Sequence, residues 1–407
     1  MSSNFNLVKK NKSEKKEVED DYDLDEKSSS SSSSNDEAKS KMIKFMGVIL
    51  VVVILLFVIL YCASLFSKST YTYTDIEKIM KDAAISYFKD YPESLPQNDG
   101  SIVEIDANNL IAAEKMKPFM EYLADETVAC AGTVQVEKAG TDYLYTPYLN
   151  CGESYATTEL YKKIVTPENI VTSGAGLYSN NGSYSYRGEE VNNYVKMGAG
   201  LWRIVKVTSN NNIVLISDEG TPYSQQWDNR YNEKMLYESG INNYSVSRIR
   251  DFLNKIYNNP SEKEEDGEYL ITKKDKKYMI PYTLCVGKRD QNAEGKDNSL
   301  ECAETIRDQM VGLLTLSDYL YASLDTSCKN ATSKTCKNYN YLSKVTDWWL
   351  ITADKNDNAL VYEIDHSGKI TSELAGSFSG VRPVIYLNSK VLYKSGDGTF
   401  EKPFKLK

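Results

Sequence analysis

A single histidine limits the chemistry that this chain can carry out. The chain has 407 residues and one histidine, His366, in the segment DHSG between Ile364 and Ile370. Serine-histidine-aspartate catalysis needs a histidine as its general base, and many zinc sites use histidine nitrogens. The flanking apolar residues and the glycine instead predict a hairpin turn, where a histidine is more often exposed than catalytic. The sequence predicts neither histidine-based catalysis nor a histidine metal site.

Acidic residues are abundant but form no pattern typical of catalysis. The 57 Asp and Glu residues show no spacing that singles out an acid–base pair. The GDGT segment has only Asp397 and Glu401 at hand, whereas calcium takes about six to eight oxygen ligands. The net charge of −9 argues against a nucleic-acid partner, because binding phosphates needs clustered Lys and Arg. We expect no catalytic residues, no metal and no cofactor.

Three tryptophans and one arginine are the candidate ligand-binding residues. Trp202, Trp348 and Trp349 are of the residue type that forms an aromatic platform for a glycan or a peptide. Arg382 is the fourth candidate, with the alternative that it satisfies backbone carbonyls or pairs with buried carboxylates. The alternative is a core role, since successive strand residues face opposite sides and at least one of the paired tryptophans would be buried. Trp227 stands in the polar segment SQQWDNR and is expected to tolerate replacement by alanine.

Six of the 7 cysteines follow residue 66 and are expected to form disulfides. No CxxC pair is present, so a zinc site is disfavoured. Six cysteines allow 15 pairings, of which pairing between sequence neighbours is the simplest. The predicted disulfides are Cys130–Cys151, Cys285–Cys302 and Cys328–Cys336.

The cysteines would lie outside the cell if the apolar segment at 45–66 crosses a membrane. This segment carries no charge, and a helix of its length would span roughly 33 Å, about one hydrocarbon core. Lys39, Lys41 and Lys44 precede it, which by the positive-inside rule keeps the N-terminus cytoplasmic. The sequence predicts a single-pass anchor in the cell membrane, with Cys62 free in the helix and the C-terminal domains extracellular.

Composition and periodicity divide the chain into five parts and predict an α+β fold. In the first exported domain, a capping box at Thr74 and Glu77 starts a helix, a second helix covers about 109–117, and 130–151 alternate as a pilin-like hairpin. The second exported domain shows short strands around two helices, at 245–257 and 316–324. The predicted organisation is a disordered cytoplasmic tail (1–41), a transmembrane helix (42–66), a small helix-plus-hairpin domain (67–157), a linker (158–182) and a larger domain (183–407).

The larger domain resembles a known family. The order NYVKM, LWRIVKV, VLIS, SRIRDFLN, GLLTLSDYL, DWWLIT, SGVRPVIYL and SGDGTFEKPF is similar to an uncharacterised exported domain family of low-GC Gram-positive bacteria. More distantly, WWLIT followed by GVRPV resembles formylglycine-generating enzymes and C-type-lectin-like domains, and this likeness implies a C-type-lectin-like fold. Those enzymes use a cysteine pair before the final arginine, and no cysteine lies between Trp348 and Arg382.

The expected function is therefore binding and not catalysis. The sequence predicts a membrane-anchored surface protein whose non-catalytic ectodomain binds cell wall, a glycan or another protein. The alternatives are an exported enzyme of unknown chemistry and a sensor that relays ligand binding to the cytoplasmic tail. A polar pocket containing acids with shifted pKa values would favour the enzyme. No motif identifies the ligand.

Overall fold

The computed structural model describes residues 45–58, 71–125, 127–234, 239–260, 270–343 and 346–407. The chain divides into two compact units, Met1–Thr70 and Tyr71–Lys407. In the first unit, the described residues form one helix, α1, over 45–58. The predicted tail (1–41), the remainder of the predicted transmembrane segment (42–44 and 59–66) and Cys62 lie outside the described residues.

The prediction of a transmembrane helix is corrected by the structure. Within the described residues, no helix combines the length and the apolar character needed to cross a membrane. The predicted fold class was therefore wrong in its membrane-spanning helix. The second unit is mixed α/β, mostly sheet with few helices.

The described part of the second unit contains five α-helices and eighteen strands. The helices are α2 (Tyr73–Asp90), α3 (Ala107–Ala112), α4 (Leu160–Ile164), α5 (Arg248–Asn258) and α6 (Leu316–Ala322). The strands are β1 (Ile102–Asp106), β2 (Ala131–Ala139), β3 (Asp142–Asn150), β4 (Gly176–Asn180), β5 (Ser183–Arg187), β6 (Tyr194–Met197), β7 (Gly200–Val207), β8 (Ile213–Ser217), β9 (Gln225–Gln226), β10 (Tyr282–Cys285), β11 (Thr305–Gln309), β12 (Trp348–Ala353), β13 (Leu360–Ile364), β14 (Ile370–Leu374), β15 (Phe378–Ser379), β16 (Val384–Leu387), β17 (Tyr393–Ser395) and β18 (Phe404–Leu406).

An eight-stranded sheet forms the centre of the unit. Its main path runs β16-β8-β7-β6-β18-β17, and β5 with β4 extends from β7. The pairs are antiparallel except β18 with β6, which are parallel. Three smaller sheets pair β12-β13-β14, β10-β11 and β15-β9, and a separate sheet pairs β1-β2-β3. The hairpin of β7 and β8 forms where the sequence predicts it, with the polar turn TSNN joining two largely buried strands.

Helix α2 packs its apolar face on the three-stranded sheet β1-β2-β3. Ile76, Met80 and Ala84 are buried there, as their helical spacing predicts. The helix begins at a capping box formed by Thr72 and Asp75, whereas the sequence placed the box two residues later. Glu77, the acid of the box that the sequence predicts, is buried instead.

Buried Glu77 links helix α2 to the C-terminal residue Lys407 and to the segment after β3. Its carboxylate forms an ion pair with the ammonium of Lys407 and accepts hydrogen bonds from the hydroxyls of Tyr155 and Thr157. One hydrophobic cluster of the unit lies around α2 and β1–β3. The other lies around the central sheet and extends back to α4 and β4, which belong to the segment 158–182 that the sequence predicts as a linker.

All three disulfides join the cysteines that the sequence paired: Cys130–Cys151, Cys285–Cys302 and Cys328–Cys336. The first closes the β2–β3 hairpin at its open end, as predicted. Disulfides persist in oxidising environments and are rare in the reduced cytosol. The folded unit therefore belongs to an oxidising environment such as the outside of a cell.

Candidate ligand-binding groove

Three adjoining depressions run along one flank of helix α5 and onto the loop that follows β8. Their volumes are about 390, 230 and 310 Å³ in this order. The first two share Phe252 and Lys255, and the last two share Thr221, Pro222 and Leu270. As bounded by the described residues, the three depressions lie side by side with shared walls, and we call them together the α5 groove.

The amphipathic character of α5 places one face in the core and a flank along the groove. Ile249 and Leu253 are fully buried. Phe252, Ile256 and Asn259 follow each other at intervals of three or four residues and line the groove, because such residues share one side of a helix. The helix thus holds these groove-lining side chains on a rigid element.

Two residues of the segment SQQWDNR fix the start of α5. The backbone N–H of Ile249 donates to the carbonyl of Trp227 at 2.9 Å, and the N–H of Arg248 donates to Asp228 Oδ1 at 3.3 Å. Ser247 caps the helix, its Oγ accepting from the N–H of Arg250. These bonds satisfy donors that a helix N-terminus otherwise leaves free, so the position of the groove depends on this segment.

Trp227 is buried, which corrects the prediction that it lies in a polar loop and tolerates alanine. Its side chain is 0 % exposed, and its indole N–H donates to the carbonyl of Leu350 at 3.1 Å. The ring of Tyr244 packs against it edge-on. The polar neighbours of Trp227 in the sequence give no sign of these contacts, which come from β12 and from the turn before α5.

The end of the groove beside the start of α5 is polar and carries excess positive charge. Buried Asp228 is committed to the structure, since its Oδ2 accepts from Arg230 Nε at 2.8 Å and from the N–H of Ile241 at 2.9 Å. Arg248, Asp251 and Lys255 also line this end and are exposed. In the described part of the chain, no ion pair involves these three side chains. Among the described residues, two cations and one carboxylate therefore remain without an ionic partner at this end of the groove.

The middle of the groove is apolar. Pro222, Tyr223, Phe252, Ile256 and Leu270 line it. The ring of Tyr223 is largely exposed. Partly exposed aromatic and aliphatic side chains in a concave surface are typical of sites that bind an apolar group.

Further exposed hydrophobic side chains stand near the same opening. Val246 lines the polar depression and is largely exposed. Phe378 is also largely exposed and pairs through β15 with Gln226 of β9, next to Gln225 of the groove wall. Val246 and Phe378 thus place exposed apolar side chains beside the polar end of the groove.

At its far end, the groove is formed largely by backbone. Gly200 and Gly220 line this depression together with Ser217. Gly220 has φ +85°, and a Cβ there would lie 2.6 Å from the carbonyl oxygen of Val381. Only glycine fits without a shift of the chain, so this turn keeps its shape.

The four candidate residues from the sequence lie in the core and none lines the α5 groove. Arg382 lies above the ring of Trp348, with 4.7 Å between its guanidinium carbon and the ring centroid. It donates to the carbonyls of Ser217 at 2.9 Å and Leu342 at 3.2 Å. These contacts agree with the core role considered for these residues. All four side chains are at most 2 % exposed: Trp202, Trp348, Trp349 and Arg382.

One buried carboxyl group has a strongly shifted pKa. Burial raises the pKa of Glu363 from 4.5 to about 7, and repulsion from Asp347, Glu373 and Asp365 adds to the effect. Glu363 lies in β13, opposite Trp349 of β12, and lines none of the depressions of the α5 groove. The shifted acid and the groove are therefore separate features.

His366 is an exposed turn residue, as predicted. It lies between β13 and β14, and its N–H donates to Asp347 Oδ1. Asp397 likewise accepts from the N–H and the hydroxyl of Thr399 in the GDGT turn. Across the described ranges, no group of three or more His, Cys, Asp or Glu residues could hold a metal ion.

No family model matches the chain, and neither does any curated protein or solved structure. The resemblance to exported domains of low-GC Gram-positive bacteria therefore stays a prediction. The pilin-like and C-type-lectin-like parts of the fold prediction gain no support.

Proposed function

We propose that this protein is an extracellular, non-catalytic binding module that holds an extended peptide segment of a partner protein in the α5 groove. The observation that carries the proposal is the groove itself, in which an apolar depression adjoins a polar one with unpaired charges. The disulfides support a site of action outside the cell. The motif order that resembles exported bacterial domains agrees with this location.

The length of the groove suits a short peptide. Helix α5 has 11 residues and is therefore about 16 Å long. An extended chain rises about 3.3 Å per residue, so about five residues fit along the helix. Alternate side chains of such a peptide point to the same side. One of them would enter the apolar depression at Phe252 while a neighbour on the same side reaches the polar one.

The charges of the groove favour an acidic residue next to the apolar anchor. Arg230 is occupied by Asp228, which leaves Arg248 and Lys255 against the single carboxylate of Asp251. A carboxylate of the peptide would form charge-assisted hydrogen bonds with the two cations. Apolar anchors commonly supply most of the affinity of such a site, and charged rims add specificity and speed of association.

Selection of peptides on the full-length protein tests the proposal. We expect selected peptides to share an apolar residue close to an acidic one. Phe252→Ala should weaken binding at least tenfold through loss of the apolar wall, and Arg248→Glu should do so through repulsion. Phe400→Ala and Arg307→Glu change exposed residues of the same types outside the groove and should alter affinity less than twofold. Selected peptides that bind both groove variants as tightly as the original protein would refute the proposal.

A further inference from the structure

A second pocket lies between the loop closed by Cys328–Cys336 and strand β14. Its volume is about 350 Å³, at the lower end of the range of small-molecule sites, roughly 300–1,000 Å³. Tyr362 and Ile370 contribute its apolar surface, and its other lining residues are mostly polar. The polar lining residues are Gln291, Thr332, Ser333, Lys334, Lys369, Thr371 and Ser372.

The pocket is positively charged in a chain of net charge −9. The eleven residues 327–337 (SCKNATSKTCK) contain three lysines and no acid. Lys334 lines the pocket on this side, and Lys369 faces it from the start of the hairpin strand β14. Both are exposed, and in the described ranges neither forms an ion pair. Two free ammonium groups at one small pocket attract an anion.

The walls of the pocket are held in place by the fold. The loop is closed by the disulfide Cys328–Cys336, and the N–H of Ala331 donates to the carbonyl of Gln291 at 3.1 Å. The hydroxyl of Tyr362, at the opposite wall, donates to the carbonyl of Arg289 at 3.1 Å. A ligand would therefore lose little affinity to ordering of the site.

We propose that this pocket binds one carboxylate-bearing sugar residue of an acidic glycan. Lys334 and Lys369 would hold the carboxylate. The hydroxyl group of Ser372 and the amide of Gln291 both donate and accept hydrogen bonds, which suits the hydroxyl groups of a sugar ring. The hydroxyl of Ser333 is engaged within its own loop by the N–H groups of Lys329 and Asn330 and by Asn330 Oδ1. A simple inorganic anion would bind to the two lysines. It has no hydrogen to donate, so the oxygen acceptors of Ser372 and Gln291 would have no role in binding it. The site shares no residue with the α5 groove and stands independently of peptide binding.

Calorimetric titration of the full-length protein tests this inference. The probe is a hexamer of α-1,4-linked galacturonate, and its fully methyl-esterified form is the neutral counterpart. We expect the acidic hexamer to bind and the ester to bind at least tenfold more weakly. The double variant Lys334→Gln with Lys369→Gln should lose binding at least tenfold, whereas Lys334→Arg with Lys369→Arg, which keeps both charges, should retain it.

A charge-matched control separates the pocket from general attraction. Lys394→Gln with Lys405→Gln removes two exposed lysines elsewhere and should leave the affinity within twofold. The inference is overturned if the acidic hexamer does not bind at millimolar concentration, if the ester binds equally well, or if the pocket variant binds as tightly as the control. Phe252→Ala in the α5 groove should leave glycan binding unchanged, so failure of one proposal is distinguishable from failure of the other.

Discussion

Replacing Glu363 by glutamine should make the stability of the folded protein less dependent on pH. The side chain of Glu363 is 7 % exposed, and burial with neighbouring acids raises its pKa to about 7 from 4.5. In the unfolded chain the carboxyl group ionises near pH 4.5. Between these two pH values the folded protein therefore binds more protons than the unfolded one, and its stability falls as pH rises.

The size of the effect follows from the shift in pKa. A shift from 4.5 to about 7 corresponds to about 3 kcal/mol at 1.36 kcal/mol per unit. At pH 4 both glutamine and the protonated acid are neutral, so Glu363→Gln should change stability little. At pH 8 the carboxyl group of Glu363 is ionised, and keeping this charge buried destabilises the folded state. The variant has no such charge and should therefore be more stable than the original protein by about 3 kcal/mol.

Denaturant unfolding of both proteins at pH 4 and pH 8 measures this difference. Glu401→Gln is the matched control, because Glu401 is exposed. Its effect on stability should be the same at both pH values. The reasoning about Glu363 is refuted if the stability difference between variant and original protein is equal at pH 4 and pH 8.

Three further predictions concern the packing of the second unit. Trp227→Ala should lower the free energy of unfolding by about 3–5 kcal/mol, whereas Tyr223→Ala on the surface should lower it by less than about 1 kcal/mol; equal melting temperatures of the two variants would contradict the burial of Trp227. Glu77→Gln should cost about 1–3 kcal/mol, because it leaves Lys407 without its charge partner in a half-buried position, and a chemical denaturation curve identical to that of the original protein would show that the ion pair contributes nothing. Peptide mapping without reduction should recover only neighbour-paired disulfides, and reduction should lower the melting temperature, because each disulfide contributes roughly 2–4 kcal/mol; any cross-paired peptide would contradict the structure.

Local patterns in the sequence predicted local structure well. The hairpin of β7 and β8 was predicted because two strand-like segments and a polar turn are all encoded within 17 neighbouring residues, 201–217. Helix α5 was predicted from its apolar spacing, and its observed bounds, Arg248–Asn258, differ by a few residues from 245–257. The disulfides were predicted because neighbouring cysteines close short loops, which cost little entropy to form.

Features that depend on distant contacts were not predicted. Trp227 is buried by β12, more than a hundred residues away, while its neighbours in sequence are polar. The capping box was misplaced because two threonine-acid patterns overlap at Thr72–Asp75 and Thr74–Glu77, and only the packing of α2 selects the first. The α5 groove combines chain segments near residues 200, 220, 250 and 270, whose approach no local pattern encodes.

Photo-crosslinking tests the central claim, that the α5 groove holds a partner peptide, most directly. A benzoylphenylalanine introduced at position 223, on the apolar wall of the groove, should capture a labelled peptide selected on the full-length protein. The same group introduced at position 400, which is similarly exposed but lies outside the groove, should capture none. Capture at position 400 but not at position 223 would contradict the claim and place the binding surface elsewhere.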